Sequence, residues 1–169
     1  LGDVYKRQVI SDPKLEELLT KYGYDAVFYP HFEVQRFLSA FHTEHPRVKI
    51  GALGQMDVQT LLMASALLIT DFSSIQFDFA YMLKPEIYYQ FDEARYWGTH
   101  HDRGYFDYRV DGFGAVVTTQ EALLQAIETA LASECAVTPE MQKHIRDTFG
   151  ALDDHNCERN HQAIRKLMS

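Results

Sequence analysis

The stretch Ala66–Pro85, ALLITDFSSIQFDFAYMLKP, decides the fold. Its first residues, ALLIT, are short and apolar on both faces, as strands of a parallel sheet are. Asp71 and Phe72 turn the chain, a helix begins at Ser73 or Ser74, and Pro85 closes it. EIYYQ follows as the next strand. A helix start at the carboxyl end of a strand offers free backbone N–H groups and the positive end of its dipole to a ligand crevice. A phosphate there gains hydrogen bonds from amides and from the two serine hydroxyls. The same residues also read as an ordinary capped helix, because Ser73 with Gln76 is a capping-box pattern.

The strand–turn–helix unit recurs on either side. Asp12-Pro13 is an N-cap followed by proline at the first helical position, and Leu15, Leu18 and Leu19 give a helical stripe up to Gly23. DAVFYP is a short buried strand ending at Pro30-His31. Val34, Phe37, Leu38 and Phe41 mark a second helix, VKIGAL a second strand, and Val58, Leu61, Leu62 and Ser65 another helix. Beyond EIYYQ, the chain from Phe91 to Phe113 breaks into a long aromatic and charged loop, and AVV is a short strand. Thr118 with Glu121 forms a capping box for the next helix, Thr138-Pro139 starts another, and the tail from His155 to Met168 is helical. The expected fold class is α/β, a Rossmann-like parallel sheet with helices on both faces. Such sheets bind ligands at the carboxyl ends of their strands. His31, the Asp71–Ser74 turn and the start of the long loop fall there.

Bulk properties narrow the function. The 169 residues suffice for one domain, and 46% hydrophobic with 24% charged residues is the balance of a globular protein. A net charge of −8 argues against a nucleic-acid footprint, yet leaves room for a small phosphate pocket. No apolar run approaches the roughly 20 residues that span a bilayer. Cys135 and Cys157 lack metal-type spacing and a secretory context, which favours a reduced, cytoplasmic setting. The opening LGDVYKRQ reads as a translated sequencing adapter. Residues 1–8 are therefore set aside as non-native, the alternative being a native, disordered start, and residues 9–169 are taken as one domain, the C-terminal piece of a longer enzyme.

Few side chains outside the turn offer chemistry. His31 follows a strand and, neutral or charged, could accept a proton or steady a pyrophosphate oxygen; the alternative is an idle loop histidine. Arg103 in the long loop could grip phosphate with its planar fork, or pair with Asp102 or Asp107. Asp78 could contact a ribose or a hydroxyl, or only favour the helix start. Adjacent His100 and His101 rarely ligate one ion, and no metal site is expected.

The run LLITDFSSIQFDFAYMLKPEIYYQFDEARY, followed by RGYFDY and the closing NCERNHQAI, resembles the CDP-glycerol glycerophosphotransferase family of teichoic acid polymerases and primases. His31 lies forty residues before Asp71 (71 − 31 = 40), as the family's histidine does in its nucleotide-binding half. The resemblance covers residues 24 to 169 and departs from the family pattern at Phe72, where a Tyr is usual. It implies a GT-B architecture of two facing Rossmann-like domains, of which this chain is the C-terminal one, the acceptor half lying elsewhere. It implies a CDP-polyol donor, a polyol-phosphate polymer acceptor and no cofactor. It assigns His31 a catalytic role, places Ser73, Ser74 and Arg103 on the pyrophosphate, and leaves Asp71 and Asp78 as weaker contacts. Work at the inner face of the membrane is implied, with any membrane contact made by the missing part. A UDP- or GDP-sugar transferase and a non-catalytic nucleotide-binding module are the competing readings.

Overall fold

The computed structural model describes residues 2–99 and 104–168. In chain order it contains α1 (Gly2–Ile10), α2 (Pro13–Tyr22), β1 (Ala26–Phe28), a 3-10 segment (Gln35–Ala40), β2 (Val48–Ile50), α3 (Val58–Ala64) and β3 (Leu68–Thr70). There follow α4 (Ile75–Tyr81), β4 (Glu86–Tyr89), α5 (Glu93–Thr99), β5 (Gly114–Val117), α6 (Gln120–Ala132), α7 (Pro139–Phe149) and α8 (Asn156–Leu167).

All strand pairs are parallel. β1 pairs with β2, Ala26 opposite Val48. β4 lies between β3 and β5, with Leu68 opposite Glu86 and Glu86 opposite Gly114. Every residue of β4 is buried, and its alternation separates two packing faces. Ile87 and Tyr89 join a core with Leu18 and Leu19 of α2 and Leu123, Ile127 and Leu131 of α6. Val48 of β2 belongs to the same core, so the two ladders share one interior. On the opposite face the Tyr88 hydroxyl accepts the Phe113 N–H at 3.0 Å, and Phe113 packs with Ala80 of α4 and Ile145 of α7. Helices thus flank the parallel sheets, as the apolar strands require. Each buried Leu or Ile contributes about 1.5–3 kcal/mol. β5 approaches β4 so closely that a Cβ on Gly114 would lie 2.0 Å from the Glu86 carbonyl oxygen.

The caps follow their side chains. Asp12 accepts the Lys14 N–H at 2.8 Å ahead of Pro13, and Gly23 ends α2 at φ 75°. Thr138 accepts the Met141 N–H at 3.2 Å ahead of Pro139.

Three expectations shift. The segment after β1 is a kinked 3-10 helix, with Phe37 at φ −112° and its ring exposed. Only Phe41 of that stripe is fully buried, packed on Phe28, so one anchor holds the segment and it does not settle into an α-helix. The cap of α6 is Thr119, which accepts the Ala122 N–H, rather than Thr118. The long loop contains α5, whose start is set by Arg95 and Tyr96 N–H groups donating to the Asp92 carbonyl, both at 2.9 Å. Residues 1–8, set aside above, contribute most of α1, where Tyr5 stacks on Phe91 at 5.0 Å.

Candidate functional site

The turn after β3 is open. Among the described residues, the backbone amides of Ser73 and Ser74 donate to no acceptor. Ser73 Oγ receives only the Ile75 N–H, at 3.5 Å, and Ser74 makes no side-chain cap. The capping box read from Ser73 and Gln76 does not form, because Gln76 turns inward and is buried. Two free amides and two serine hydroxyls therefore gather at the carboxyl end of a parallel strand, Ser74 standing exposed. That is an anion-binding layout, resting on local donors more than on a dipole, since α4 has only seven residues.

Phe72 fixes this turn. Its ring stacks on Tyr96 at 3.8 Å and 6°, with Trp97 and Tyr108 edge-on, each at 5.6 Å. α5 and the 104–113 segment are thereby brought against the turn. The Arg109 guanidinium closes the arrangement with a two-pronged pair to Glu93 at 2.9 and 2.8 Å. Burial, and next the charges of Asp71 and Asp92, raise the Tyr96 phenol above its ordinary range.

Asp71 lies in the turn with its carboxylate 3.0 Å from Lys6 Nζ. Asp78 stands exposed on α4, in the first turn, next to the buried Phe79. Arg103 lies outside the described residues, as do His100 and His101. Lys84, beyond α4, is spoken for by three carbonyls, those of Leu62, Met63 and Ser65, at 3.0, 2.6 and 2.8 Å. It closes the end of α3 and makes no part of the turn.

His31 occupies its own turn at the carboxyl end of β1. No hydrogen bond joins it to the Asp71–Ser74 turn; its partners are local. Nδ1 accepts the Glu33 N–H at 3.4 Å and lies 3.8 Å from the Glu33 carboxylate. The neutral ring then carries its proton on Nε2, and the charged ring carries one there too. In either state Nε2 is a donor, on a ring that is largely exposed.

Sequence reading missed Glu86, the first residue of β4. It is 3% exposed, and neither carboxyl oxygen has a hydrogen-bond partner. Burial pushes its carboxyl up to about 8, with the nearby Tyr88 hydroxyl and Ala80 backbone pulling the other way. It sits at the amino end of its strand, away from the turn, and acts on stability. Among the described residues, no group of three or more His, Cys, Asp or Glu side chains could hold a metal ion. No helix among them is long and apolar enough to cross a membrane.

A parallel α/β domain with an open amide-and-hydroxyl turn at a strand's carboxyl end has the layout in which such sheets hold ligands. The chain belongs to the CDP-glycerol:poly(glycerophosphate) glycerophosphotransferase family, whose model matches residues 4–165. It is 31% identical over 159 residues to the minor teichoic acid biosynthesis protein GgaB of Bacillus subtilis, covering 94% of this chain and 17% of that protein. It is 40% identical over 75 residues to the teichoic acid poly(glycerol phosphate) polymerase of the same organism, covering 43% of this chain and 10% of that one. In structure it resembles the wall teichoic acid polymerase TagF, with a TM-score of 0.65 at 20% identity over 95% of this chain and 39% of the polymerase. The chain thus spans under a fifth of each of these two curated relatives.

Proposed function

We propose that this chain is the donor-binding part of a transferase that moves a polyol phosphate, glycerol phosphate foremost, from a CDP-polyol to a hydroxyl of a teichoic-acid-like polymer. The observation that carries this is the open Asp71–Ser74 turn in a chain matched by a glycerophosphotransferase family over almost its whole length. The amides and hydroxyls of Ser73 and Ser74 hold the pyrophosphate, and Arg103 adds its guanidinium. Asp71 and Asp78 orient the polyol. The acceptor hydroxyl attacks the β-phosphorus, the new P–O bond forms as the bond to the bridging oxygen breaks, and CMP leaves with that oxygen. His31 takes part through Nε2–H, as a donor to the pyrophosphate oxygens. The acceptor-binding half, the GT-B pairing of two domains, the base for the acceptor proton and any contact with the inner membrane face belong to the remainder of the parent enzyme.

The family match begins at residue 4, inside the opening stretch that reads as adapter-derived.

A ligand panel tests the proposal. CDP-glycerol, CDP-ribitol, CMP, UDP-glucose and GDP-mannose are titrated into the chain and read by thermal shift. CDP-polyols should stabilise it most, and S73A/S74A should abolish the difference between CDP-glycerol and CMP. A preference for the UDP- or GDP-sugar would overturn the assignment.

A further inference from the structure

We infer that Gln35 is a positioning residue for His31. The inference rests on the proposed role of His31 and names what holds that side chain in place. The turn after β1 has no sheet partner of its own, because the β1–β2 ladder ends at Phe28 and Ile50. Pro30 lacks an N–H, so its carbonyl is the handle by which the backbone before His31 can be gripped. The Gln35 amide grips it: Nε2 donates to the Pro30 carbonyl at 2.9 Å. The other end of the same amide, Oε1, accepts the Leu53 N–H at 3.0 Å. Leu53 belongs to the loop that leaves β2. One side chain therefore ties the exits of two neighbouring strands together at their carboxyl ends.

The rest of the turn closes around His31. Its carbonyl accepts the Val34 and Gln35 N–H groups at 2.8 and 3.2 Å. That winding delivers the Glu33 N–H to His31 Nδ1. Tyr29 rests on Gly51, where a Cβ would fall 2.6 Å from the ring, so the two exits meet in close contact as well. A glutamine fits the bridge because it supplies one donor and one acceptor at the required spacing. Glutamate would keep the acceptor for Leu53 and lose the donor to Pro30; alanine would lose both.

A double-mutant cycle on this chain tests the inference. H31A, Q35A and the double variant are titrated with CDP-glycerol and with CMP by NMR, and the ring nitrogens of His31 are followed in parallel. Q35A should weaken CDP-glycerol binding about as much as H31A, leave CMP binding within twofold, and add nothing in the H31A background. In Q35A the His31 ring should show both neutral tautomers in place of the Nε2–H form alone. If Q35A proves poorly folded, Q35E serves, with the same direction expected. If H31A weakens binding and Q35A leaves it unchanged, or the two effects add, Gln35 does not act through His31. If H31A has no effect, the role of His31 fails, and the tautomer spectrum alone decides: an unchanged ring in Q35A overturns the positioning role, and a changed one upholds it.

Discussion

At the scale of single residues, Glu86 sets a pH dependence. Its carboxyl titrates near 4.5 in the unfolded chain and at about 8 when folded. Between those values the native state holds a proton that the unfolded state releases. Stability from this group is therefore full below the unfolded value and falls by up to about 1.4 kcal/mol per pH unit. It is lost once the pH has passed the folded value. E86Q keeps the shape without the charge. It should melt at the same temperature as the parent chain at pH 5 and clearly higher at pH 9, measured by circular dichroism; equal melting at pH 9 would show the carboxylate is solvated. Lys84 offers a second residue-level test. K84M leaves three carbonyls of the α3 end without their cation, a loss of roughly 1–3 kcal/mol. Denaturant unfolding should show that loss while CDP-glycerol binding stays as it was.

At the scale of elements, Phe72 joins β3, α5 and the 104–113 segment through one ring. Phe72 is only partly buried, so F72A should cost less than the ~3–5 kcal/mol of a fully buried Phe→Ala change. Hydrogen exchange should then rise first in α5, before the β3–β4–β5 ladder. Uniform acceleration across the chain would mean that α5 owes its order to other contacts. The α1 helix behaves differently. Removing residues 1–8 forfeits the Tyr5–Phe91 stack and the Lys6–Asp71 pair, whose side chains are 35% and 38% exposed. Such surface pairs contribute little. The shortened chain should melt within a few degrees of the original and bind CDP-glycerol more weakly, because the Asp71 carboxylate then faces the pyrophosphate without its cation.

Elements differ in how plainly the sequence announces them. Apolar runs such as EIYYQ, buried on both faces, and proline or glycine boundaries such as Asp12-Pro13 and Gly23 specify local structure by short-range sterics, and the folded chain follows them. α5 was hidden because Tyr96 and Trp97 are modest helix formers whose order comes from stacking on Phe72, a partner over twenty residues away. The 3-10 segment was misread because spacings of three and four suit both kinds of helix, and the choice depends on which rings find a core. Within the site, the Asp71–Ser74 turn was legible from its neighbours. What sequence left open was whether Ser73 and Gln76 satisfy each other, and the inward turn of Gln76 decides that. Glu86 gave no warning, since a carboxylate at the start of a strand is usually solvated.

At the scale of the whole molecule, the two parallel ladders share one core, and their flanking helices bury both faces of β4. That core is built from the described residues. The reaction proposed here draws on a further part, because this chain spans 39% of the polymerase it resembles. The isolated chain should bind CDP-glycerol weakly and release no CMP from it, with or without an acceptor polymer. A chromatographic assay for CMP settles the matter, and turnover by this chain alone would show that it carries both halves of the chemistry.

The aromatic arrangement around Phe72 has an optical consequence. Trp97 is the chain's single tryptophan, and it lies edge-on to the Phe72 ring beside the Asp71–Ser74 turn. Its emission therefore comes from one place, beside the Phe72 ring, and under the proposed function it would report occupancy of the Asp71–Ser74 turn.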